Sequence, residues 1–145
     1  MSAHCFTYGS LMCEEIMSMV CGRPVQSESA VLAGHRRHPV RGEDYPGMIA
    51  HRGGQVPGQL YRSLDARAFA RLDAFEGAQY QRVEREVKLA DGSTVHAWTY
   101  LFRPALRHLL LPGEWDFEAF LRHGRARFIA RYAGFGQIVG DGRTG

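Results

Sequence analysis

The stretch RLDAFEGAQYQR at 71–82 sets one acid, Glu76, between Phe75 and Gly77 at the close of a run with helical spacing. The C-terminal end of a helix carries partial negative charge and disfavours a carboxylate there. Desolvation by Phe75, Tyr80 and other apolar neighbours would push in the same direction. Together these raise the pKa toward neutrality, where one carboxyl can accept a proton and return it. General acid/base catalysis is the chemistry this position offers; the plain alternative is a surface glutamate. A second constellation is Tyr8-Gly9-Ser10-Leu11, where a strand runs into a helix. Backbone N–H groups at such a turn suit a carboxylate or a carbonyl oxygen, glycine permits close approach, and Ser10 adds a hydroxyl donor. A purely structural turn is the alternative reading of that tripeptide.

Other chemistries find less footing. Cys5, Cys13 and Cys21 are odd in number and contain no CxxC pair, which argues for reduced thiols over a disulfide framework or structural zinc. The seven histidines show no HExxH spacing, so no metal is expected. The net charge is +3, with 18 basic residues spread among 15 acids. The densest basic stretch, RHGRARFIAR at 122–131, has apolar residues at helical spacing beneath it. One basic helix face is the simpler reading, and no nucleic-acid partner is expected. No stretch approaches the roughly 18 apolar residues of a membrane span. The N-terminus lacks a basic segment followed by an apolar run, so a cytoplasmic protein without membrane association is expected.

These residues require elements to hold them. At 145 residues and 45% apolar, the chain has the size of one domain with a real core. HCFTY at 4–8 reads as a strand stopped by Gly9-Ser10, and CEEIMSMVCG at 13–22 as a short helix presenting Ile16, Met17 and Val20, with Gly22 as its stop. Residues 28–37, 45–51 and 55–62 read as strands separated by Pro and Gly turn formers. Asp65 is a natural N-cap for a helix that carries Phe69, Leu72 and Phe75 and ends at Gly77. QRVEREVKLA and STVHAWTYLF flank Asp91-Gly92, the favoured pair for a two-residue hairpin turn. A last helix is expected around 116–132, with a loose glycine-rich tail after Gly134. The result is an α+β domain spanning 1–145, its core at about 4–132, with a curved mixed sheet closed by helices.

The motifs YGSL at 8–11, YPG at 45–47, GQLYRSLD at 58–65 and LDAFEGAQYQR at 72–82, in this order and spacing, resemble the gamma-glutamylcyclotransferase-like superfamily. The likeness falls in its avirulence-induced-gene and gamma-glutamylamine cyclotransferase branch and covers about residues 4–102. It implies a small mixed β-barrel flanked by helices, enclosing a cavity whose YGSL loop holds a glutamyl group, with Glu76 matching the catalytic acid. The implied reaction is attack of a free α-amine on the compound's own γ-carbonyl, giving 5-oxoproline and an amine without water or cofactor. The resemblance further implies Tyr8, Gly9, Ser10 and Leu11 at the ligand, Tyr45, Pro46 and Gly47 as a rim loop, and Tyr80 bounding the cavity. Arg82 reads as a solvated strand residue. After YGSL the chain continues MCEEIM, where gamma-glutamylamine enzymes carry a more basic stretch. Glutathione, gamma-glutamyl amino acids and lysine isopeptides therefore all stay open as substrates, and the oligomeric state is undefined. Two other classes remain: a non-catalytic metabolite-binding module, and a protein-interaction domain using the basic last helix.

Overall fold

The computed structural model describes residues 2–131. The elements run β1 (Ser2–Thr7), α1 (Glu14–Cys21), β2 (Ser27–Pro39), β3 (Pro46–Asp65), α2 (Ala66–Glu76), β4 (Tyr80–Leu89) and β5 (Thr94–Phe102). A helical run over 117–131 follows, beginning as an α-turn at Phe117–Ala119 and widening to a π-turn at Phe120–Gly124. The glycine-rich tail after Gly134 lies outside the described residues.

The fold is α+β, a five-stranded mixed sheet with flanking helices. The strands pair in the order β1-β3-β2-β4-β5, and β5 returns to β1 through the parallel pair Cys5–Trp98, so the ring of pairings closes. All other pairings are antiparallel. Closure creates two cores. Phe6, Leu32, Met48, Val56, Leu60 and Val87 fill one. The other packs Ile16, Met17, Val20, Phe69 and Leu72 of α1 and α2, with Trp115, Phe120 and Phe128, around Cys5, Tyr61 and Tyr100.

Three local features depart from the sequence reading. Residues 45–51 and 55–62 form one long strand, β3. Between the pairs Ala33–Gln55 and His35–Ala50, residues 51–54 bulge outward against β2. Gly53 takes a φ of +81°, and Gly54 lies against the His35 carbonyl with no room for a side chain. The glycines that signalled a turn mark this bulge. In the β4–β5 hairpin, Asp91 keeps a negative φ and Gly92 alone is left-handed at +89°. Leu89 O accepts from Gly92 N at 3.0 Å, and Asp91 Oδ1 accepts from Ser93 N at 2.9 Å. The loop is thus longer than two residues. The last helix carries a π-turn in place of uniform α-structure. Among the described residues, no helix is long and apolar enough to cross a membrane.

Candidate active site

The turn after β1 is fixed from several sides. Tyr8 and Gly9 leave the strand, and Ser10–Met12 make one tight turn, closed by Met12 N donating to Gly9 O at 2.9 Å. The buried Arg37 Nη1 donates to Tyr8 O at 2.6 Å and to Pro57 O at 3.2 Å. Tyr61 Oη donates to Leu11 O at 2.8 Å, and Tyr8 Oη donates to Tyr100 O at 2.7 Å. A Cβ at residue 9 would stand 2.7 Å from Pro46 Cδ, so only glycine lets the 45–47 loop approach this closely. The opening N–H groups of such a turn lack acceptors within it, which leaves them to a ligand or water.

Glu76 is the last residue of α2. The helix starts at Asp65, whose carboxylate accepts from Ala68 N at 2.9 Å. Its Ala68, Phe69 and Leu72 side is buried, and Gly77, with a φ of +74°, turns the chain toward β4. This geometry delivers the Glu76 carboxyl to the pocket. Burial, and secondarily the like charge of Asp73, raise its pKa to about 8. The residue keeps some surface because it lines an open pocket; the surrounding protein sets the direction of the shift. No hydrogen bond among the described residues contributes to it.

Asp73, one turn earlier, accepts from Tyr100 Oη at 2.7 Å and from Arg82 Nε at 2.9 Å. Arg82 is therefore not simply solvated: its guanidinium pairs with Asp73 and lies over the rings of Phe69 at 5.0 Å and Trp98 at 4.7 Å. The pocket tyrosines all stay protonated. Burial pushes Tyr8, Tyr80 and Tyr100 far up and Tyr45 to about 12. Among the described residues that wall the pocket, Glu76 is then the group raised to a pKa near neutrality.

An inner pocket is walled by Thr7 to Leu11, Tyr45, Pro46, Glu76, Tyr80 and Tyr100. Its cavity volume out to the mouth is about 330 Å³. It adjoins a wider outer recess, about 720 Å³ out to its mouth, which shares Ser10, Tyr45, Glu76 and Tyr80. Eight sequence-selected residues, Tyr8, Gly9, Ser10, Leu11, Tyr45, Pro46, Glu76 and Tyr80, thus line one pocket. Gly47 does not: it packs beneath the wall, where a Cβ would meet Phe102 at 2.7 Å and Leu110 at 2.9 Å. Its glycine serves that close packing. Tyr80 Oη is engaged by Pro46 O at 2.7 Å, and Tyr45 Oη by Gln79 Oε1 at 2.8 Å. Among the described residues, no group of three or more His, Cys, Asp or Glu side chains could hold a metal ion.

Sequence reasoning missed Arg37, Asp73, Tyr100 and Phe128. Arg37 faces inward because the bulge at Gly34, whose φ is +76°, flips the alternation of β2: Ala30 and Leu32 are buried before it, His35 and Arg37 after it. Asp73 lies three residues before Glu76, a helical spacing that signals shared location.

Residues 5–117 match the family described as gamma-glutamyl cyclotransferase, AIG2-like. The curated relative AIG2-like protein C of Arabidopsis thaliana is 33% identical over 125 residues, 86% of this chain and 72% of that one. A solution structure from Arabidopsis thaliana superposes with a TM-score of 0.69 at 26% identity, covering 93% of this chain and 82% of that one. A structure titled gamma-glutamyl cyclotransferase shares the fold, with a TM-score of 0.64 at 17% identity over 71% and 68% of the two chains. The chain belongs to the gamma-glutamyl cyclotransferase, AIG2-like family.

Proposed function

We propose that the protein cyclises the gamma-glutamyl group of a small compound to 5-oxoproline and releases an amine. The observation that carries this is the placement of one carboxyl, Glu76 with a pKa near 8, on the same pocket wall as the Tyr8–Leu11 turn. The reaction needs a group that takes a proton and gives it back, and a pKa close to ambient pH suits both halves. The substrate's neutral α-amine attacks its own γ-carbonyl carbon, forming the ring C–N bond. Glu76 accepts the proton lost by that nitrogen and delivers it to the leaving nitrogen as the original amide bond breaks. No water, metal or redox cofactor enters this balance. The N–H groups of Gly9, Ser10 and Leu11, with the Ser10 hydroxyl, are the donors for the negative charge that develops on the carbonyl oxygen. Tyr8, Tyr45, Pro46 and Tyr80 bound the space in which the chain curls toward ring closure. Gly47 supports the rim from beneath.

The protein-interaction alternative draws no support from the last helix. Its Arg127 and Arg131 pair with Asp44 and Glu43, and Phe120 and Phe128 are buried. The direct test incubates the protein with glutathione, gamma-glutamyl amino acids, gamma-glutamyl alkylamides and Nε-gamma-glutamyl-lysine, and detects 5-oxoproline by mass. Release from at least one compound is expected. Binding without release from every compound would leave a metabolite-binding module in its place.

A further inference from the structure

The recess outside Glu76 has a composition of its own. Its floor is Ser10, Tyr45, Glu76 and Tyr80, shared with the inner pocket, and its walls add Phe75, Phe128, Gln79, Glu43 and Arg131. The rings of Phe75 and Phe128 meet edge to face at 5.8 Å, and those of Tyr45 and Tyr80 lie 6.2 Å apart. The polar groups around them are engaged with one another. Arg131 Nη1 donates to Glu43 Oε1 at 3.1 Å, and Gln79 Oε1 accepts from Tyr45 Oη at 2.8 Å. A group leaving the γ-carbon beside Glu76 has room in this space, because the Tyr8–Leu11 turn and Tyr100 wall the inner pocket on one side and the recess adjoins it at Ser10, Tyr45, Glu76 and Tyr80. The recess thus meets the leaving amine with aromatic walls and an already neutralised ion pair.

Resting on the cyclisation proposed above, we infer that the leaving group is an amine with an uncharged aromatic or bulky aliphatic body, selected by Phe75 and Phe128. A charged amino-acid or lysine leaving group would have to compete for Glu43 and Arg131, which already pair with each other at the half-exposed mouth, and its thin stem offers the rings less surface than an aromatic body. An apolar body loses only water and gains contact with the rings. Phe75 lies within the residues that match the family and Phe128 in the helical run beyond them, so part of the selectivity is carried outside the shared 5–117 region.

The test compares kcat/KM for gamma-glutamyl phenethylamide, gamma-glutamyl ethylamide and Nε-gamma-glutamyl-lysine. The phenethylamide is expected to lead the other two by about tenfold or more, the lower end of what a single well-packed methylene discriminates. Phe128→Ala should erase most of that lead by lowering the phenethylamide rate several-fold more than the ethylamide rate. Phe128→Leu, which keeps an apolar wall and protects against loss of the helical run, should restore part of it. Equal rates for the two alkylamides, a preference for the lysine compound, or an equal fall on all three in Phe128→Ala would each overturn the inference. The same three compounds are titrated calorimetrically onto Glu76→Gln, which is expected to hold ligand without turning it over. If no compound yields 5-oxoproline, the cyclisation reading fails. The binding order then still decides whether the recess selects aromatic bodies.

Discussion

At Glu76, the pKa of about 8 fixes the sign of the pH dependence. The proton-accepting form is the minority below that value. In kcat/KM, corrected for titration of the substrate's own amine, the rate should rise with pH and level off above about 8. A profile flat from pH 6 to 9 would show that Glu76 does not carry the proton. Asp73 contributes the second cause of the shift, so Asp73→Asn should move the inflection to lower pH. Removing the countercharge in Arg82→Met should move it to higher pH, because the Asp73 charge then acts on Glu76 unopposed. An NMR titration of the Glu76 carboxyl reads both shifts without relying on turnover. Opposite or absent shifts would mean that Asp73 is electrically remote from the site. The sequence made this residue legible through its awkward position after Phe75. It did not show that burial would lead, nor that Asp73 would be tied to Arg82 and Tyr100, since those partners come from β4 and β5.

Among elements, the turn after β1 depends on β2 and β3 as much as on its own sequence. Arg37 and Tyr61 hold the carbonyls of Tyr8 and Leu11 at its two ends. Arg37 does not line the pocket and is proposed as a positioning residue. Its guanidinium holds the Tyr8 carbonyl and with it the Tyr8–Gly9 peptide, whose N–H is a proposed donor to the developing oxyanion. Arg37→Met should lower kcat by about tenfold or more with little change in KM, because the donors act most strongly in the transition state. It should also cost about 1–3 kcal/mol of stability by stranding buried carbonyls. Arg37→Lys, which can still donate to Tyr8 O, should recover part of kcat. A stability loss with kcat untouched would reduce Arg37 to a packing role. Helix α2 and the hairpin were legible because Asp65, the Phe69/Leu72/Phe75 spacing and the alternation of Val83, Val87 and Leu89 act locally. The inward turn of Arg37 was not, because one bulge at Gly34 reverses the faces of a strand and its partner lies on β3.

For the whole molecule, the same carboxyl links the site to stability. Glu76 holds its proton to about pH 8 when folded and releases it near the ordinary value of 4.5 when unfolded. The folded state therefore binds more protons between those values. The stability tied to this group is fully present below pH 4.5, is lost as pH rises through the window, and changes no further above 8. Glu76→Gln removes this dependence, so its melting temperature should gain on wild type by several degrees between pH 5 and 8. A constant difference across that range would place the carboxyl in solvent-like surroundings. The closed sheet explains why: pairing β5 back to β1 brings residues 8–11, 45–46, 76, 80 and 100 around one space, a convergence that motif order suggested and only tertiary closure produces. The central claim is that Glu76 moves the proton there. It is tested most directly by the rate of 5-oxoproline release from Glu76→Gln, set against wild type on one substrate already shown to turn over. A fall of at least about 100-fold, with substrate-analogue affinity and fold retained, is the predicted result. A rate above about a tenth of wild type would contradict it and assign the proton to another group.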